Sequence, residues 1–400
     1  EMKRILGAVA LSSVLAAQAQ PPRDAWPTYN GDYSGRRFSP LTSVNASTVK
    51  HLSLGWIYDL PAGGGGQVKA TPPEVGGTLY FTTPNHAYAV EARTGRELWH
   101  YAYPRSRGGT TIGNRGVAIL GDTVYFVTTD CNLIALDIRT GTEKWAREFC
   151  SLEMVYYGSV APIIVKDKLI FGPSGDDLDQ PAYLDARSPV DGALIWRWYG
   201  TPQKAGDPGL NSWPNLDMAQ HGGGMAWQPI TYDPELNLIY VTTGNPQPVV
   251  AYKNRAGANL FTASIVALNA DTGKMVWYFQ ASPNDTHDWD ATQCAVLIDG
   301  TINGQPRKLV AQASRNGWFF VLDRTNGKAI VSTEFIKTNW ALGHEDSGSP
   351  IPNPAKRPQI AGALVTPNQG GATNWYPPSF SPETGLFYVN ATRAFSVWYI

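Results

Sequence analysis

The amino-acid sequence predicts an all-β fold, a β-propeller of four-stranded blades arranged around an axis. Three observations predict it: one phrase that occurs five times, the interval between its copies, and a composition rich in turn and strand residues. Self-similarity at a steady period is the signature of repeat architectures. The copies are AYAVEARTGRELW at 87–99, LIALDIRTGTEKW at 133–145, YLDARSPVDGALIW at 183–196, IVALNADTGKMVW at 265–277 and FVLDRTNGKAIV at 320–331.

Each copy is typical of a β-hairpin, with alternating apolar residues, a glycine-containing turn and a second strand. Glycine supplies the positive φ that such turns need, and Asp or Asn caps the turn. In the first four copies a tryptophan follows the turn glycine by four residues, whereas Val331 takes that place in the fifth. Because a tryptophan stands at the same position of each of these copies, we expect its large ring to pack between neighbouring blades.

The interval between copies matches propeller blades, which need roughly 40 to 50 residues each. The repeat tryptophans stand at 99, 145, 196 and 277. Because the last interval is much longer than one blade, we expect a long insertion between Trp196 and Trp277. Repeats of this kind form one continuous body rather than separate domains.

The composition supports this fold and excludes one class of partner. The chain has 40 Gly, 30 Pro, 14 Trp and 19 Tyr but only 16% charged residues, which suits strands and turns with little helix. The formal net charge is −1 and Lys and Arg do not cluster in a run. We therefore expect no nucleic-acid partner.

The amino terminus has the pattern of a secretory signal peptide over residues 1–19. Lys3 and Arg4 precede an apolar run at 5–15, and Ala-Gln-Ala follows at 17–19 as a cleavage site. The apolar run is too short to span a bilayer, and we expect no transmembrane segment elsewhere. The mature propeller domain is then 20–400, located in a bacterial periplasm.

Three cysteines occur, at 131, 150 and 294. In an oxidising compartment Cys131 and Cys150 can pair, since both lie around one repeat, but buried thiols fit the sequence equally well. The odd number leaves at least one cysteine without a partner in the chain. A C-x-x-C-H motif does not occur, so these residues hold no c-type haem attachment site.

Polar loops between the repeats collect oxygen ligands. Asp288 and Asp290 stand two apart, so on an extended segment both point to the same side. With Asp177 and the Asn245 carbonyl they form an all-oxygen set, which suits Ca²⁺ or a larger trivalent ion better than zinc. Asp residues in turns often cap themselves, and we expect that role for the neighbouring Asp176; His287 is expected to be structural.

Three further side chains suit a planar acidic ligand. Trp227 follows three glycines that allow close backbone approach, so its indole can present a flat face, although most tryptophans here belong to the core. Arg115 and Arg315 occur in the similar contexts GNRG and SRNG. Arginine suits bidentate binding of carboxylates, and either residue can instead hold a loop in place.

Together these residues resemble the pyrroloquinoline quinone (PQQ) dependent alcohol dehydrogenases, the quinoproteins related to methanol and ethanol dehydrogenases. The resemblance runs from residue 26 to the end and includes the opening WPTYNGDYSGRRFSPLTSVNASTVKHLSLGW. Tryptophan-docking repeats also occur in non-enzymatic relatives, so the Gly, Asn and Asp segments are the more specific part. The family folds as an eight-bladed propeller.

The resemblance implies a role for each matching residue. Trp227 in GGGMAW corresponds to the tryptophan on which the quinone stacks, and Asn245 in TGNP to a metal ligand. Asp288 corresponds to the catalytic aspartate, which also binds the metal, and Asp290 to the extra aspartate of lanthanide-using members. Arg315 corresponds to the arginine beside the quinone carbonyls. The remaining implied cofactor contacts are Arg115 in GNRG, Ser159 in GSVAP, Ser174 in GPSGDD and Asn374 in TNW.

The chain departs from the family pattern at two places. Gly109 and Thr110 stand where the family has adjacent cysteines that form a vicinal disulfide over the cofactor, so that lid must be built differently. Asp177 stands where the family has a metal-binding glutamate. The shorter side chain keeps the charge, and the carboxylate of Asp290 can compensate, so the implied cation is Ca²⁺ or a lanthanide.

The implied reaction oxidises a small alcohol to an aldehyde or ketone. The metal polarises the C5 carbonyl of PQQ, Asp288 takes the alcohol proton, and hydride moves to C5. Electrons then pass to a c-type cytochrome. The residues do not indicate the oligomeric state or the particular alcohol.

Two alternatives remain at this point. One is a PQQ-dependent dehydrogenase of sugars or polymer alcohols, since substrate choice lies in loops whose shape the sequence does not give. The other is a non-catalytic propeller scaffold of outer-membrane protein assembly, which would explain the repeats but not the clustered Asp, Asn and Arg residues. That scaffold also predicts a lipobox cysteine near Ala19, and none occurs there.

The number of blades leads to a further expectation. The family closes eight blades, whereas this chain offers about six or seven before it stops at a strand-like segment, 398–400. An open ring would leave strand edges unpaired. We therefore expect the propeller to be incomplete here and the native protein to continue for one or two more blades.

Overall fold

The structure, a computed structural model, describes residues 25–60, 67–109, 112–175 and 179–400. The predicted signal peptide, Thr110, Asp176 and Asp177 lie outside these residues. Five four-stranded antiparallel sheets follow one another along the chain, each with its strands in sequence order. The prediction of four-stranded propeller blades is confirmed.

The first two blades carry eight strands. They are Glu74–Val75 (β1), Thr78–Thr83 (β2), His86–Glu91 (β3) and Glu97–Ala102 (β4), then Ala118–Leu120 (β5), Thr123–Val127 (β6), Asn132–Asp137 (β7) and Glu143–Glu148 (β8).

The next three blades carry twelve. They are Ile163–Val165 (β9), Lys168–Phe171 (β10), Tyr183–Arg187 (β11) and Leu194–Tyr199 (β12); Thr231–Asp233 (β13), Leu238–Thr242 (β14), Ser264–Asn269 (β15) and Met275–Gln280 (β16); and Val296–Ile302 (β17), Gln305–Ala313 (β18), Trp318–Asp323 (β19) and Ala329–Glu334 (β20).

Three two-stranded sheets follow the fifth blade in the described part of the chain. In them β21 pairs with β22, β23 with β26 and β24 with β25. Their strands are Ala341–His344 (β21), Pro350–Pro352 (β22), Ala363–Val365 (β23), Ser379–Ser381 (β24), Leu386–Tyr388 (β25) and Ser396–Trp398 (β26).

The sequence repeat is the hairpin formed by the third and fourth strands of each blade. In the first four blades an alanine on the third strand pairs with the repeat tryptophan, as in Ala89 with Trp99, and in the fifth Val321 pairs with Val331. The register shifts just after this pair in every blade, a bulge that precedes the turn. One local sequence pattern has thus produced one local geometry five times.

The repeat tryptophans pack between blades, as predicted. Each ring covers the turn glycine of the following blade: a Cβ added there would lie 2.5–2.9 Å from a ring atom. The covering pairs are Trp99 with Gly141, Trp145 with Gly192, Trp196 with Gly273 and Trp277 with Gly327. Trp56, which the repeat did not identify, covers Gly95 of the first blade in the same way.

Hydrogen bonds fix the orientation of these rings. The indole N–H of Trp99 donates to the Ile138 carbonyl at 2.9 Å, and that of Trp277 to the Arg324 carbonyl at 3.0 Å. Trp56 donates likewise to Ala92 at 3.0 Å. These three indoles therefore keep their one donor satisfied while their rings fill the space between sheets.

The hydrophobic core is divided among the gaps between neighbouring blades. One cluster joins Tyr80 and Trp99 of the first blade to Phe126 and Ile134 of the second. Similar clusters join the second blade to the third, the third to the fourth and the fourth to the fifth. Each blade is thus stabilised mainly by its neighbours, as in other repeat proteins.

Helices are short and lie in the connections. A single-turn-scale α-helix, Leu216–Gln220 (α1), occurs in the insertion predicted between Trp196 and Trp277, and the Asn215 side chain caps it by accepting the Met218 N–H at 2.8 Å. Short 3₁₀ turns occupy Val49–His51, Leu210–Ser212 and Pro354–Lys356. Among the described residues, helices with the length and apolarity needed to cross a membrane are absent.

The cysteine alternatives are resolved by the structure. Cys131 and Cys150 form a disulfide that closes a 19-residue separation in the second blade. Cys294 is a buried thiol outside that bond.

Candidate cofactor pocket

The predicted site residues come together because of blade topology. In an antiparallel sheet the residue that begins the first strand and the residue that finishes the second strand lie at the same end of the sheet. The site residues occupy these two places in successive blades: Arg115 precedes β5, Ser159 precedes β9, Ser174 follows β10, Trp227 precedes β13, Asn245 follows β14, Asp288 and Asp290 precede β17, Arg315 follows β18, and Asn374 precedes β24. Because the blades share one axis, these ends of the sheets lie on one face of the propeller.

A cavity of about 300 Å³ opens at this face. Eight of the ten predicted site residues line it, together with four that the sequence analysis did not identify. The lining residues are Lys69, Ile112, Arg115, Tyr157, Ser159, Trp227, Asn245, Asp288, Asp290, Arg315, Asn374 and Trp375. Of the other two predicted residues, Ser174 lies behind the wall, and Asp177 lies outside the described residues.

Asp288 and Asp290 do point to the same side of their segment and share one arginine. Arg315 Nη2 donates to Asp288 Oδ2 at 3.1 Å, and its Nη1 donates to Asp290 Oδ2 at 2.9 Å. The guanidinium also donates to the Gln369 carbonyl through Nη2 at 2.7 Å. The Gln369 side chain, whose Nε2 donates to Asp288 Oδ2 at 3.0 Å, is a further contact that the sequence did not indicate.

The loop that carries Asp288 is shaped by a buried carboxylate. Asp288 has a φ of 60°, in the left-handed region. Asp285 accepts the N–H groups of His287 at 3.3 Å and Trp289 at 2.9 Å, which holds the backbone on both sides of Asp288. Asp and Asn tolerate this backbone region better than most residues, so the loop can present the carboxylate to the cavity.

The residues on either side of Asp288 face the core instead. Trp289 is fully buried, and its indole N–H donates to the Asn368 carbonyl at 2.9 Å. His287 stacks on Trp289 with ring centroids 4.4 Å apart, and its Nε2 lies 2.8 Å from the Lys356 carbonyl oxygen. Burial lowers the pKa of His287 to about 4. These contacts agree with the structural role expected for this histidine.

Asp290 connects three other site residues. Its Oδ1 accepts the backbone N–H of Asn245 at 2.6 Å, and its Oδ2 accepts the indole N–H of Trp227 at 3.1 Å as well as the Arg315 bond. A Cβ on Gly244 would lie 2.5 Å from Asp290 Oδ1. The glycine before Asn245 therefore makes room for this carboxylate.

Arg115 and Trp227 form the aromatic part of the cavity. The guanidinium carbon of Arg115 lies 4.8 Å from the Trp227 ring centroid, within the range of a cation–π contact. Arg115 Nη1 donates to Ser159 Oγ at 2.8 Å, and the hydroxyls of Ser159 and Ser174 are 2.7 Å apart. Three segments distant in sequence are thus joined beside one indole.

Asn374 and Trp375 close another part of the cavity. Asn374 Nδ2 donates to the Gly370 carbonyl at 2.9 Å, and its Oδ1 accepts the Trp375 N–H at 2.8 Å. Gln228 Nε2 donates to the Trp375 carbonyl at 3.3 Å, which ties this loop to the residue after Trp227. The place of Trp375 directly after Asn374 is the signal from which it could have been found.

The electrostatics of the pocket fit a hard cation. Burial and the nearby charge of Asp290 raise the pKa of Asp288 to about 7, although Arg315 acts in the opposite direction. A bound cation would favour the ionised carboxylate and reverse this shift. The two carboxylates and the Asn245 amide that line the cavity offer hard oxygens of the kind that Ca²⁺ and trivalent ions prefer.

Clusters of three or more His, Cys, Asp and Glu side chains suited to a metal do not occur within 25–60, 67–109, 112–175 and 179–400. The predicted metal ligands include Asp177, which lies outside these ranges. They also include the amide of Asn245, a residue type that does not belong to such clusters. The donor chemistry of the described members is therefore compatible with a metal.

Comparison with known proteins decides the family. Residues 26–339 match the family model PQQ, described as the β-propeller domain of glucose/ethanol/alcohol dehydrogenases. The chain belongs to this family. The eight lining residues predicted from the sequence thus line one cavity of a PQQ-family propeller.

Individual members of the PQQ family are similar over most of this chain. The quinohemoprotein alcohol dehydrogenase of Comamonas testosteroni is 39% identical over 395 residues, which cover 92% of this chain and 54% of that protein. The structure of the quinohemoprotein alcohol dehydrogenase ADHIIG of Pseudomonas putida HK5 has a TM-score of 0.88 at 34% identity, covering 94% and 58% of the two chains. This chain spans about half the length of the curated relatives it matches.

A second similar structure concerns the metal. A europium-containing methanol dehydrogenase has a TM-score of 0.84 at 30% sequence identity, covering 92% of this chain and 69% of that one.

Proposed function

We propose that this chain is the cofactor-binding propeller of a PQQ-dependent alcohol dehydrogenase that oxidises a hydroxyl group to a carbonyl. The observation that carries the proposal is one cavity lined by a flat indole, by buried arginines and by hard oxygen donors. When bound, the quinone accepts the two electrons of the oxidation, and the metal beside it supplies Lewis acidity.

Trp227 is the face on which the planar cofactor lies. Its ring is 9% exposed, and its N–H is held by Asp290 at 3.1 Å, so the ring has a fixed orientation before any ligand arrives. Arg115, Ser159 and Asn374 line the same cavity and supply donors for the anionic groups of the cofactor. Ser174 acts through Ser159, since their hydroxyls share a hydrogen bond.

Asp288, Asp290, Asn245 and Asp177 would hold the cation. Asp290 is the reason to test a lanthanide as well as Ca²⁺, because a second carboxylate adds the negative charge that a trivalent ion favours. The europium-containing relative supports including that test.

Asp288 is the residue that accepts the hydroxyl proton of the substrate. Among the described residues its bonds from Arg315 and Gln369 both go to Oδ2, which holds that oxygen in place. We assign the proton transfer to Oδ1. A base beside a cation stays ionised at neutral pH, as this role requires.

The setting of the reaction follows from the same proposal. The pattern at 1–19 supports export to the periplasm, and the quinohemoprotein names of the relatives support a haem protein as electron acceptor. We propose a c-type cytochrome in that role and a small alcohol as substrate.

The experiment is reconstitution with PQQ and either Ca²⁺ or La³⁺, followed by alcohol-dependent reduction of a dye. Glucose serves as a second substrate arm. We expect activity with one of the metals, and we expect Asp288→Asn to lower kcat by about 10²- to 10⁴-fold, the usual contribution of a general base. The variant should still bind PQQ, as measured by fluorescence quenching. Failure of the unaltered protein with both metals, or full activity of Asp288→Asn, would contradict the proposal.

A further inference from the structure

A third cationic side chain, besides the two arginines, lines the cavity on the side of the first and second blades. Lys69 lies in the segment that leads into β1, and Arg115 in the segment that leads into β5. A parallel bridge joins Val68 to Asn114, and the Thr71 N–H donates to the Arg115 carbonyl at 3.3 Å. The two segments therefore run side by side and deliver Lys69 and Arg115 to the same wall.

The lysine side chain is held at both ends. A Cβ on Gly113 would lie 3.0 Å from Cγ and Cδ of Lys69, so the glycine leaves just enough room for the stem. At the other end Nζ lies 5.6 Å from the ring centroid of Trp375, within cation–π range. Trp375 is itself held by Gln228 and Asn374. The ammonium group is thus positioned at the cavity rather than free to sweep through solvent.

Charge is distributed unevenly around the cavity. Asp288 and Asp290 enter from the start of the fifth blade and are bridged by Arg315. Lys69 and Arg115 enter from the first and second blades. A ligand that fits this pattern is flat and has anionic groups that point toward Lys69 and Arg115. On its other side, an oxygen of the ligand would bind a cation that the two carboxylates also bind.

We propose that Lys69 is a cofactor-binding residue whose ammonium group, held over Trp375, binds a carboxylate of the quinone. This inference rests on the proposed function and extends it, because PQQ carries three carboxylates and Arg315 is already paired with Asp288 and Asp290, so Arg115 alone would serve few of the carboxylate oxygens. Lysine acts as a point charge that can follow a carboxylate, and a charge-assisted hydrogen bond in a partly buried pocket is strong. The ring of Trp375 keeps the ammonium charge at this wall of the cavity.

The test compares two ligands and three variants by equilibrium binding, with quenching of tryptophan fluorescence as the readout and Ca²⁺ or La³⁺ present. The ligands are PQQ and its trimethyl ester, which has the same ring but lacks the anionic charges. The variants are Lys69→Met, which keeps the stem; Lys69→Arg, which keeps the charge; and Lys274→Met, a matched loss of an exposed lysine in a blade turn.

We expect Lys69→Met to raise the Kd for PQQ by about 10- to 100-fold, the range for loss of one hydrogen bond to a charged group. Lys69→Arg should stay within a few-fold of the unaltered protein, and Lys274→Met should not change the Kd. The Kd for the trimethyl ester should be the same with and without Lys69, because no carboxylate remains to be bound.

Two outcomes overturn the role of Lys69 while leaving the proposed function intact. One is an unchanged Kd for PQQ in Lys69→Met. The other is an equal loss of PQQ and ester binding, which would make Lys69 a structural residue of the wall. If the unaltered protein binds no PQQ with either metal, the proposed function fails and this inference fails with it.

Discussion

Asp290 is the residue on which the geometry of the cavity depends most. Its two carboxylate oxygens accept bonds from Asn245 N, Trp227 Nε1 and Arg315 Nη1, at 2.6, 3.1 and 2.9 Å. The side chain is 7% exposed, so water cannot easily replace these partners. One carboxylate therefore aligns the indole, the arginine and a loop.

Replacing Asp290 by alanine should lower the free energy of unfolding by about 2 kcal/mol in the absence of ligands. The change leaves the buried Trp227 indole N–H and the partly buried Asn245 backbone N–H without this acceptor and weakens the pairing of Arg315. Relief of repulsion with Asp288 offsets part of the loss. Unfolding in urea measures the change in the free energy of unfolding.

Asp271→Ala is the matched control for that measurement. Asp271 pairs with Lys166 at 3.0 Å but is 46% exposed, so we expect its removal to cost less than about 1 kcal/mol. Equal stability losses for the two variants would mean that burial gives the Asp290 contacts no special value.

Only part of this residue-level arrangement was predictable from the sequence. Alternation along an extended segment predicts that Asp288 and Asp290 share a side, and the structure agrees. Gln369 contacts Asp288 from 81 positions away. Such a contact depends on how the blades pack, and the residues around Gln369 contain no local signal for it.

At the scale of elements, the tryptophan–glycine contact is the unit that joins one blade to the next. Gly141, with a φ of 69°, lies beneath the Trp99 ring. Two separate demands thus require glycine there: the left-handed turn and the close approach of the ring. Gly121 meets only the first demand, since its φ is 58° but a Cβ there would find nothing within 4 Å.

The pair Gly141→Ala and Gly121→Ala therefore separates turn strain from blade docking. Both alanines should cost about 1 kcal/mol from the positive φ. Gly141→Ala should cost about 1–3 kcal/mol more, since its methyl group would lie 2.7 Å from the Trp99 ring and displace it. Chemical denaturation of the two variants gives the difference. Equal losses would show that the ring moves aside without cost.

Two elements depart from the repeat pattern. Trp56 covers Gly95 although its own segment matches none of the five copies. The fifth copy forms the expected hairpin even though Val331 replaces the tryptophan, because strand pairing depends on alternation and turn residues rather than on the docking ring.

At the scale of the whole molecule, the cavity lies where loops from the first blade to the region after the fifth converge. The cores lie between blades, so each blade depends on its neighbours. A ligand bound at the convergence contacts several blades at once and, because it binds only the folded state, stabilises them together.

PQQ with Ca²⁺ or La³⁺ should accordingly raise the midpoint of thermal unfolding. At a free ligand concentration about 100 times the Kd, the gain is about 2.7 kcal/mol. Differential scanning calorimetry measures the shift, with metal alone as the control. A Trp227→Ala variant should show a smaller shift, and an unchanged midpoint for the unaltered protein would argue against a ligand at this cavity.

The sequence by itself determined the blades, the tryptophan docking and the gathering of polar residues in the loops between the repeats. These follow from local periodicity, turn chemistry and antiparallel topology, which act over a few residues at a time. Only the tertiary structure decided that Cys131 pairs with Cys150, that Arg315 bridges both aspartates, and that Lys69 and Trp375 complete the cavity. Those contacts join segments far apart in the chain, so they depend on the packing of one blade against another.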